Sequence, residues 1–349
     1  MSASASNVLL PVLDLERYER GREERAAFLT DLRSAARDIG FFYVKGHGID
    51  ATFLQEVMNL TQRFFALPAA EKLAIEMVNS PHFRGYNRVA AEITRGRADW
   101  REQIDIGAER AAVPRTPGAA PWGRLKGPNQ WPSALPELKP VILRWQAEAT
   151  AVLVRLLRCF AAALGQPEDV FETLYRDEPH LLVKLIRYPG RELTADSQGV
   201  GAHKDSDLLS LLLQDEVGGL QVQDGDRWID AAPLPGTFVV NIGELLELAS
   251  DGYLRATMHR VVTPPAGSQR FSVAFFLSAR LDATVPLLTL PPELAAEARG
   301  PESDPENPLL REVGKNALKG RLRSHPDVTR RHHSDLLEPG APQRASSGY

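Results

Sequence analysis

"GAHKDSDLLSLLLQ", residues 201–214, sets a histidine and an aspartate one residue apart and runs directly into a stretch that is apolar almost throughout. If the segment is extended, His203 and Asp205 are i and i+2 and point to the same face, where both can grip one ion. The tripeptide alone carries little information. The chain has 8 histidines, and His-x-Asp recurs at His325-Pro326-Asp327 and His333-Ser334-Asp335. Those two lie in "RSHPDVTRRHHSDLLEPG", a basic polar stretch without strand alternation, where Asp327 reads as favouring a helix start near Ser324. His47 and His82 sit in turn-like settings that suit surface or capping roles.

The neighbourhood of residue 203 is different. "HLLVKLIRYP", "LLSLLLQ", "GLQVQDGDRWIDA", "TFVVNI", "RATMHRVV" and "RFSVAFFLS" follow one another from residue 180 as short apolar runs spaced by turn residues. That rhythm predicts a β-sandwich or barrel. Asp224-Gly225 reads as a hairpin turn, and "GELLELASDG" as one short helix closed by Gly252. Strands of one sandwich pack together, so a third ligand belongs on a neighbouring strand. Apart from His180, at the start of the first strand, His259 is the only other histidine in the region. Two imidazoles and one carboxylate form a facial triad that leaves positions open on iron(II) for an oxidant and an organic chelator.

Eleven residues beyond His259, "QRFSVAFFL" places Arg270 and Ser272 at i and i+2 in an otherwise apolar strand. A guanidinium inside a barrel is costly unless it meets an anion. Arginine grips a carboxylate through a bidentate fork, and an adjacent hydroxyl adds a third hydrogen bond. Tyr188 in "LIRYPG" is a further donor. A protein carboxylate would serve Arg270 equally well, but beside a metal triad the anion expected is a substrate or cosubstrate carboxylate.

The rest of the chain frames this region. The composition is ordinary for a globular protein, 43% hydrophobic and 25% charged over 349 residues. A net charge of -4 implies no general attraction to nucleic acid or anionic membrane. No apolar run approaches the ~20 residues that span a bilayer. The start, "MSASASNVLLPVLDLE", lacks a basic segment followed by a long apolar one and reads as cytoplasmic. The single cysteine, Cys159, lies in the helical pattern "AVLVRLLRCFAAALG" and reads as a core residue, which excludes an internal disulfide or a Cys-rich metal site. Helices are expected over "REERAAFLTDLRSAARDI", "ATFLQEVMNLTQRFFALP", about 138–164 and about 305–320. "GFFYVKGHGI" is expected as a strand. The seven prolines of residues 113–140 predict a connecting loop. The organisation expected is an N-terminal helical and strand region over 1–140, a helical connection over 141–178, the β core over 179–283, and a C-terminal helix with a disordered polar tail over 284–349. No boundary between independently folding domains is evident.

The chain resembles the isopenicillin N synthase-like group of non-haem iron(II) and 2-oxoglutarate dependent oxygenases. The resemblance runs along almost its whole length, through "LPVLDL", "GFFYVKGHGI", "FRGYN", "GPNQWP", "RYPG", "GAHKDSDLLSLLLQDEVGGLQV", "GTFVVNIGELLELASDGYLRATMHRVV" and "RFSVAFF". It implies an α+β fold with a mainly-β core, a double-stranded β-helix or distorted jelly roll of cupin-like form, flanked by N-terminal and C-terminal helices. It implies His203, Asp205 and His259 as iron ligands, Arg270 and Ser272 as the pair that holds the distal carboxylate of 2-oxoglutarate, Tyr188 as an assisting residue, and Asn241 near the cosubstrate. The expected cofactors are Fe(II), 2-oxoglutarate and O2. The expected reaction is oxidation, chiefly hydroxylation, of a small molecule with release of succinate and carbon dioxide, in a bacterial tailoring pathway. A monomer is the default.

Two departures stand out. Lys204 replaces a small hydroxyl residue and by alternation points away from the metal; Asp207 replaces a glycine and is either a solvated turn carboxylate or part of the substrate mouth. Isopenicillin N synthase and aminocyclopropanecarboxylate oxidase show that the Arg-x-Ser pair does not identify its own guest. A zinc hydrolase on the same ligands would need a base such as Glu244 and leaves Arg270 unexplained. A silent binding module would be expected to lack a ligand. Arg84, Asn87, Arg88 and Arg101 form either a polar entrance to the cavity or a solvated surface cluster.

Overall fold

Strands buried on both faces read as continuous apolar runs, because neither face meets water. The computed structural model describes residues 10–192, 198–302 and 307–337, and the expected tail at the C-terminus lies almost wholly outside them. Its larger sheet has eight strands in the order Val12–Asp14, Phe41–Lys45, Phe238–Ile242, Leu209–Gln214, Gln269–Leu277, Leu181–Pro189, Glu102–Gly107 and Gly85–Asn87. A four-stranded sheet orders Arg227–Asp230, Leu220–Asp224, His259–Val262 and Gln198–His203. Apolar residues of both sheets, among them Phe41, Ile186, Val200, Leu220 and Val261, form one buried cluster between them.

Alternation divides the central strand cleanly. Phe271, Val273, Phe275 and Leu277 join the outer core against the helices Arg22–Asp38, Ala51–Phe65 and Leu138–Ala163. Arg270, Ser272, Ala274 and Phe276 face the space between the sheets. The Leu181–Pro189 strand is divided likewise, with Val183 and Leu185 outward and Ile186 and Tyr188 inward. Cys159 is fully buried in the long helix, and burial pushes its thiol up to about 12, as befits a core residue. Asp224-Gly225 makes the expected hairpin, with Asp224 paired to Arg227 and Gly225 at φ +57°.

Several expectations need correction. Strand geometry ends at His203, so Asp205 lies in a turn. Its carbonyl accepts from Glu244 N at 2.8 Å, which ties the turn to the start of the Glu244–Ala249 helix. "RATMHRVV" is a strand only from His259, because residues before it bind the end of the first long helix instead, with Arg255 N donating to Ala36 O at 3.0 Å and Thr257 Oγ1 to Ile39 O at 2.6 Å. The helix expected near 305–320 spans Val313–Ser324, since Pro308 cannot lie in a helix interior and Glu312 pairs with Thr284 in a bridge. Asp327 belongs to the first turn of a separate helix, Pro326–His332, which opens on proline. His325 and His333 are not in a polar surface stretch: both are buried, with His333 stacked on Phe83.

The turn that carries Asp205 is backed closely by Gly243. A Cβ there would lie 2.0 Å from the Asp207 carbonyl oxygen. Gly243→Ala is therefore expected to lower stability by about 1–3 kcal/mol through overpacking, read as a shifted urea midpoint at unchanged slope.

Candidate functional site

Cross-strand pairing brings the two histidines together. His259 is the direct partner of His203 in the smaller sheet, and their ring centroids are 4.2 Å apart. Each ring is held by its Nδ1, which lies 2.8 Å from Gly201 O for His203 and 3.1 Å from Thr257 O for His259. A carbonyl only accepts, so each Nδ1 carries the proton and each Nε2 keeps a free lone pair. Burial, followed by the neighbouring His203, pushes the His259 imidazole down to about 4, which keeps it neutral and able to bind metal at neutral pH.

Asp205 completes the cluster despite leaving the strand. Its Oδ1 lies 3.6 Å from His203 Nε2 and 3.7 Å from His259 Nε2. One ligand atom from each of the three residues lies within 4.8 Å of the others, and this is the only such cluster found among the described residues. The second oxygen, Oδ2, accepts from Ser210 Oγ at 2.7 Å and Asn241 Nδ2 at 2.9 Å. Ser210 and Asn241 are direct partners on adjacent strands, which is why both reach the same oxygen. Asn241, expected near the cosubstrate, thus gives its amide to Asp205 while lining the inner cavity. Sequence reading missed Ser210; its signal was a lone hydroxyl inside "LLSLLL". Two imidazole nitrogens and a carboxylate oxygen with one side open fit a ferrous ion.

Two cavities meet at this cluster, and Val200, Arg101, His203, Asp205 and Phe276 line both. The inner one, about 70 Å³, lies between the sheets and ends at Arg270 and Ser272. Arg270 is fully buried. Its Nη1 donates to Ser272 Oγ at 3.2 Å, its Nη2 to Gln214 Oε1 at 2.8 Å, and its Nε has no partner. Tyr188, its cross-strand neighbour, lies beneath it with the ring centroid 5.0 Å from Cζ. No carboxylate of the described residues forms an ion pair with Arg270. A buried guanidinium left in this state calls for an anion. Gln214 gave no separate sign in the sequence.

The outer cavity, about 150 Å³, is walled by the smaller sheet, by inward residues of the larger one and by the helix Val313–Ser324. That helix contributes Ala317, Gly320, Arg321 and Ser324, spaced as one helical face. Of the four polar residues considered for an entrance, only Arg101 lines this cavity. Arg88 is exposed and binds Glu76. Buried Arg84 donates to carbonyls of His82, Phe83 and Leu125, and Asn87 is buried against Met77. Only Arg88 is solvated; Arg84 and Asn87 are buried and belong to neither a mouth nor a surface cluster. Lys204 turns away from the metal cluster to Glu302 at 2.7 Å and Glu247 at 3.7 Å. Asp207 lines the cavity, and burial, then the Asp205 carboxylate, push its carboxyl up to about 7.

Comparisons with known proteins agree with this geometry. Residues 10–134 match the family described as the N-terminal part of a non-haem dioxygenase in morphine synthesis, and residues 178–279 match the 2OG-Fe(II) oxygenase superfamily. The chain is 35% identical to the 2-oxoglutarate-dependent dioxygenase frbJ of Dothideomycetidae sp. (strain 11243), over 97% of this chain and 96% of the relative. It is 39% identical to a homoarginine-6-hydroxylase of Oryza sativa subsp. japonica, over 73% of this chain and 78% of the other. A full-length Neurospora crassa protein, solved as a crystal structure in complex with alpha-KG and thymine, superposes with a TM-score of 0.72 at 25% identity, covering 91% of this chain and 99% of that one. The two sequence relatives are fungal and plant proteins and lend no support to a bacterial setting. No helix among the described residues is long and apolar enough to cross a membrane. Sequence kinship along nearly the full length, on a frame that brings two imidazoles and a carboxylate to one point, means that the chain belongs to the 2OG-Fe(II) oxygenase superfamily and is an oxidoreductase of the 2-oxoglutarate dioxygenase type.

Proposed function

We propose that this protein hydroxylates a small, amino-acid-sized molecule, with iron held by His203, Asp205 and His259, 2-oxoglutarate in the inner cavity and the substrate in the outer one. The observation that carries this reading is the buried guanidinium of Arg270, in no ion pair with a described carboxylate, at the end of a cavity that opens on the His-Asp-His cluster. When bound, iron(II) and 2-oxoglutarate supply the oxidative chemistry of the family, in which dioxygen is consumed, succinate and carbon dioxide are released and an oxygen atom passes to the substrate.

The protein's own residues bind and orient. Arg270 and Ser272 receive the distal carboxylate of 2-oxoglutarate, and the free Nε of Arg270 supplies a donor not used within the chain. Gln214 and the Tyr188 ring fix the guanidinium plane. Ser210 and Asn241 occupy one oxygen of Asp205 and leave the other for the metal. Apolar Val200, Leu212, Leu220 and Val261 keep the inner cavity short of water. A small substrate is supported by the outer cavity, about 150 Å³, a volume about that of an engineered cavity that accepts benzene. The homoarginine-6-hydroxylase relatives act, by their name, on a molecule of this class.

Three outcomes test the reading. Succinate formation from 2-oxoglutarate is expected to stop when a chelator removes metal and to return with added iron(II), followed by succinate assay and oxygen uptake. Arg270→Gln is expected to weaken 2-oxoglutarate binding by at least about 30-fold, the lower end of what losing a buried charged pair costs, measured by calorimetry. Asn241→Ala is expected to weaken Mn(II) affinity about 10- to 100-fold by freeing the Asp205 oxygen it holds, read by metal titration; unchanged affinity would remove Asn241 from its orienting role.

A further inference from the structure

We propose that Asp207 is the residue that selects the substrate, and that it selects a small organic cation, an amine or a guanidine, by pairing with its positive charge. The inference rests on the proposed function, since it takes the outer cavity as the substrate site.

The argument is one of charge matching. Four cations among the described residues line the outer cavity, and each already has a carboxylate. Arg101 meets Glu92 at 2.7 Å and Asp99 at 3.3 Å. Lys184 meets Glu92 at 2.9 Å. Arg321 meets Asp105 at 2.8 Å, and Lys204 meets Glu302 at 2.7 Å. Setting aside the metal-binding Asp205, the lining carboxylates among the described residues are Glu92 and Asp207. Glu92 is committed to Arg101 and Lys184. Asp207 forms no ion pair with any described residue, and the wall cations Arg321 and Lys184 are paired instead with Asp105 and Glu92. A partly buried carboxylate without a counter-ion is unfavourable until something brings the opposite charge. An incoming anion would have to draw a lining cation out of an existing pair, whereas an incoming cation finds an acceptor free.

Position supports the assignment. Asp207 follows the Asp205 turn by two residues, so a group bound to it lies beside the metal cluster rather than at the cavity's far rim. Its backbone is pinned: its carbonyl accepts from Leu245 N at 3.3 Å and packs against Gly243, while the next residue's N donates to Leu277 O at 3.0 Å. A charge on a pinned backbone recognises geometry as well as sign. Loss of one partner of such a desolvated pair leaves the other charge stranded, which makes discrimination between a cation and its neutral isostere steep.

Matched probes that differ by a single positive charge test this on the whole protein loaded with Mn(II) and 2-oxoglutarate. Calorimetry would compare L-homoarginine with L-homocitrulline, and L-norleucine with hexanoate. In at least one pair the cationic member is expected to bind tenfold or more tightly, and Asp207→Asn is expected to reduce that ratio to within twofold, while Asp207→Glu, which keeps the charge, retains part of it. The proposal is overturned if neither pair discriminates in the wild-type protein, including the case in which no probe binds, or if Asp207→Asn keeps the preference. The wild-type comparison decides even if a variant does not fold. Calorimetric binding of 2-oxoglutarate to the wild-type Mn(II) protein reports separately: its absence overturns the proposed function, and its presence without a charge preference overturns only the assignment of Asp207.

Discussion

A sheet covered on both faces must sort its side chains by parity, and the inner end of this site follows from that sorting in the strand Gln269–Leu277. Its odd-numbered residues, Phe271 to Leu277, fill the core under the helices, while the even-numbered ones begin with Arg270 and Ser272 and face the cavity. A slip of one residue would send the guanidinium into the apolar core, where nothing could compensate it. The hydrophobic packing that stabilises the outer face therefore also specifies where the buried positive charge stands. Arg270 costs stability in the unliganded chain and is offset only when an anion arrives, the pattern expected of a residue kept for binding.

The metal cluster is orientated by the backbone more than by other side chains. Both imidazoles are steered by carbonyl oxygens two residues before them, Gly201 O and Thr257 O. The direct pairing of His203 with His259 then sets their separation. Asp205 needs separate support because it leaves the strand, and it receives it from a cross-strand pair, Ser210 and Asn241, together with the Gly243 backbone behind its turn. Ligands fixed in this way need little rearrangement when a metal enters.

The outer cavity obeys a different logic. Its wall is a set of buried ion pairs drawn from distant parts of the chain: Glu92 with Lys184 and Arg101, and Asp105 with Arg321. Such pairs add little net stability but define a fixed pattern of charge. Against that neutralised background a single unpaired carboxylate becomes a recognition element. The C-terminal helix has a direct part in this pattern, because Arg321 on its cavity-facing side closes the pair with Asp105.

The sequence by itself determined the features that depend on local order. Period-two alternation with continuous apolarity marked the strands Leu181–Pro189, Leu209–Gln214 and Gln269–Leu277, and residue chemistry singled out Arg270 and Ser272 in the last of them and His203 and His259 in the smaller sheet. Only the tertiary structure decided that Asp205 reaches the histidines from a turn, that Asn241 and Ser210 share one of its oxygens, that His325 and His333 are buried, and that Arg101 rather than Arg84 or Arg88 faces the cavity. The physical reason is range. Alternation and side-chain chemistry are written within a few residues, whereas a pair such as Arg321 with Asp105, 216 positions apart, exists only once sheet and helix have packed, and no periodicity along the chain encodes it.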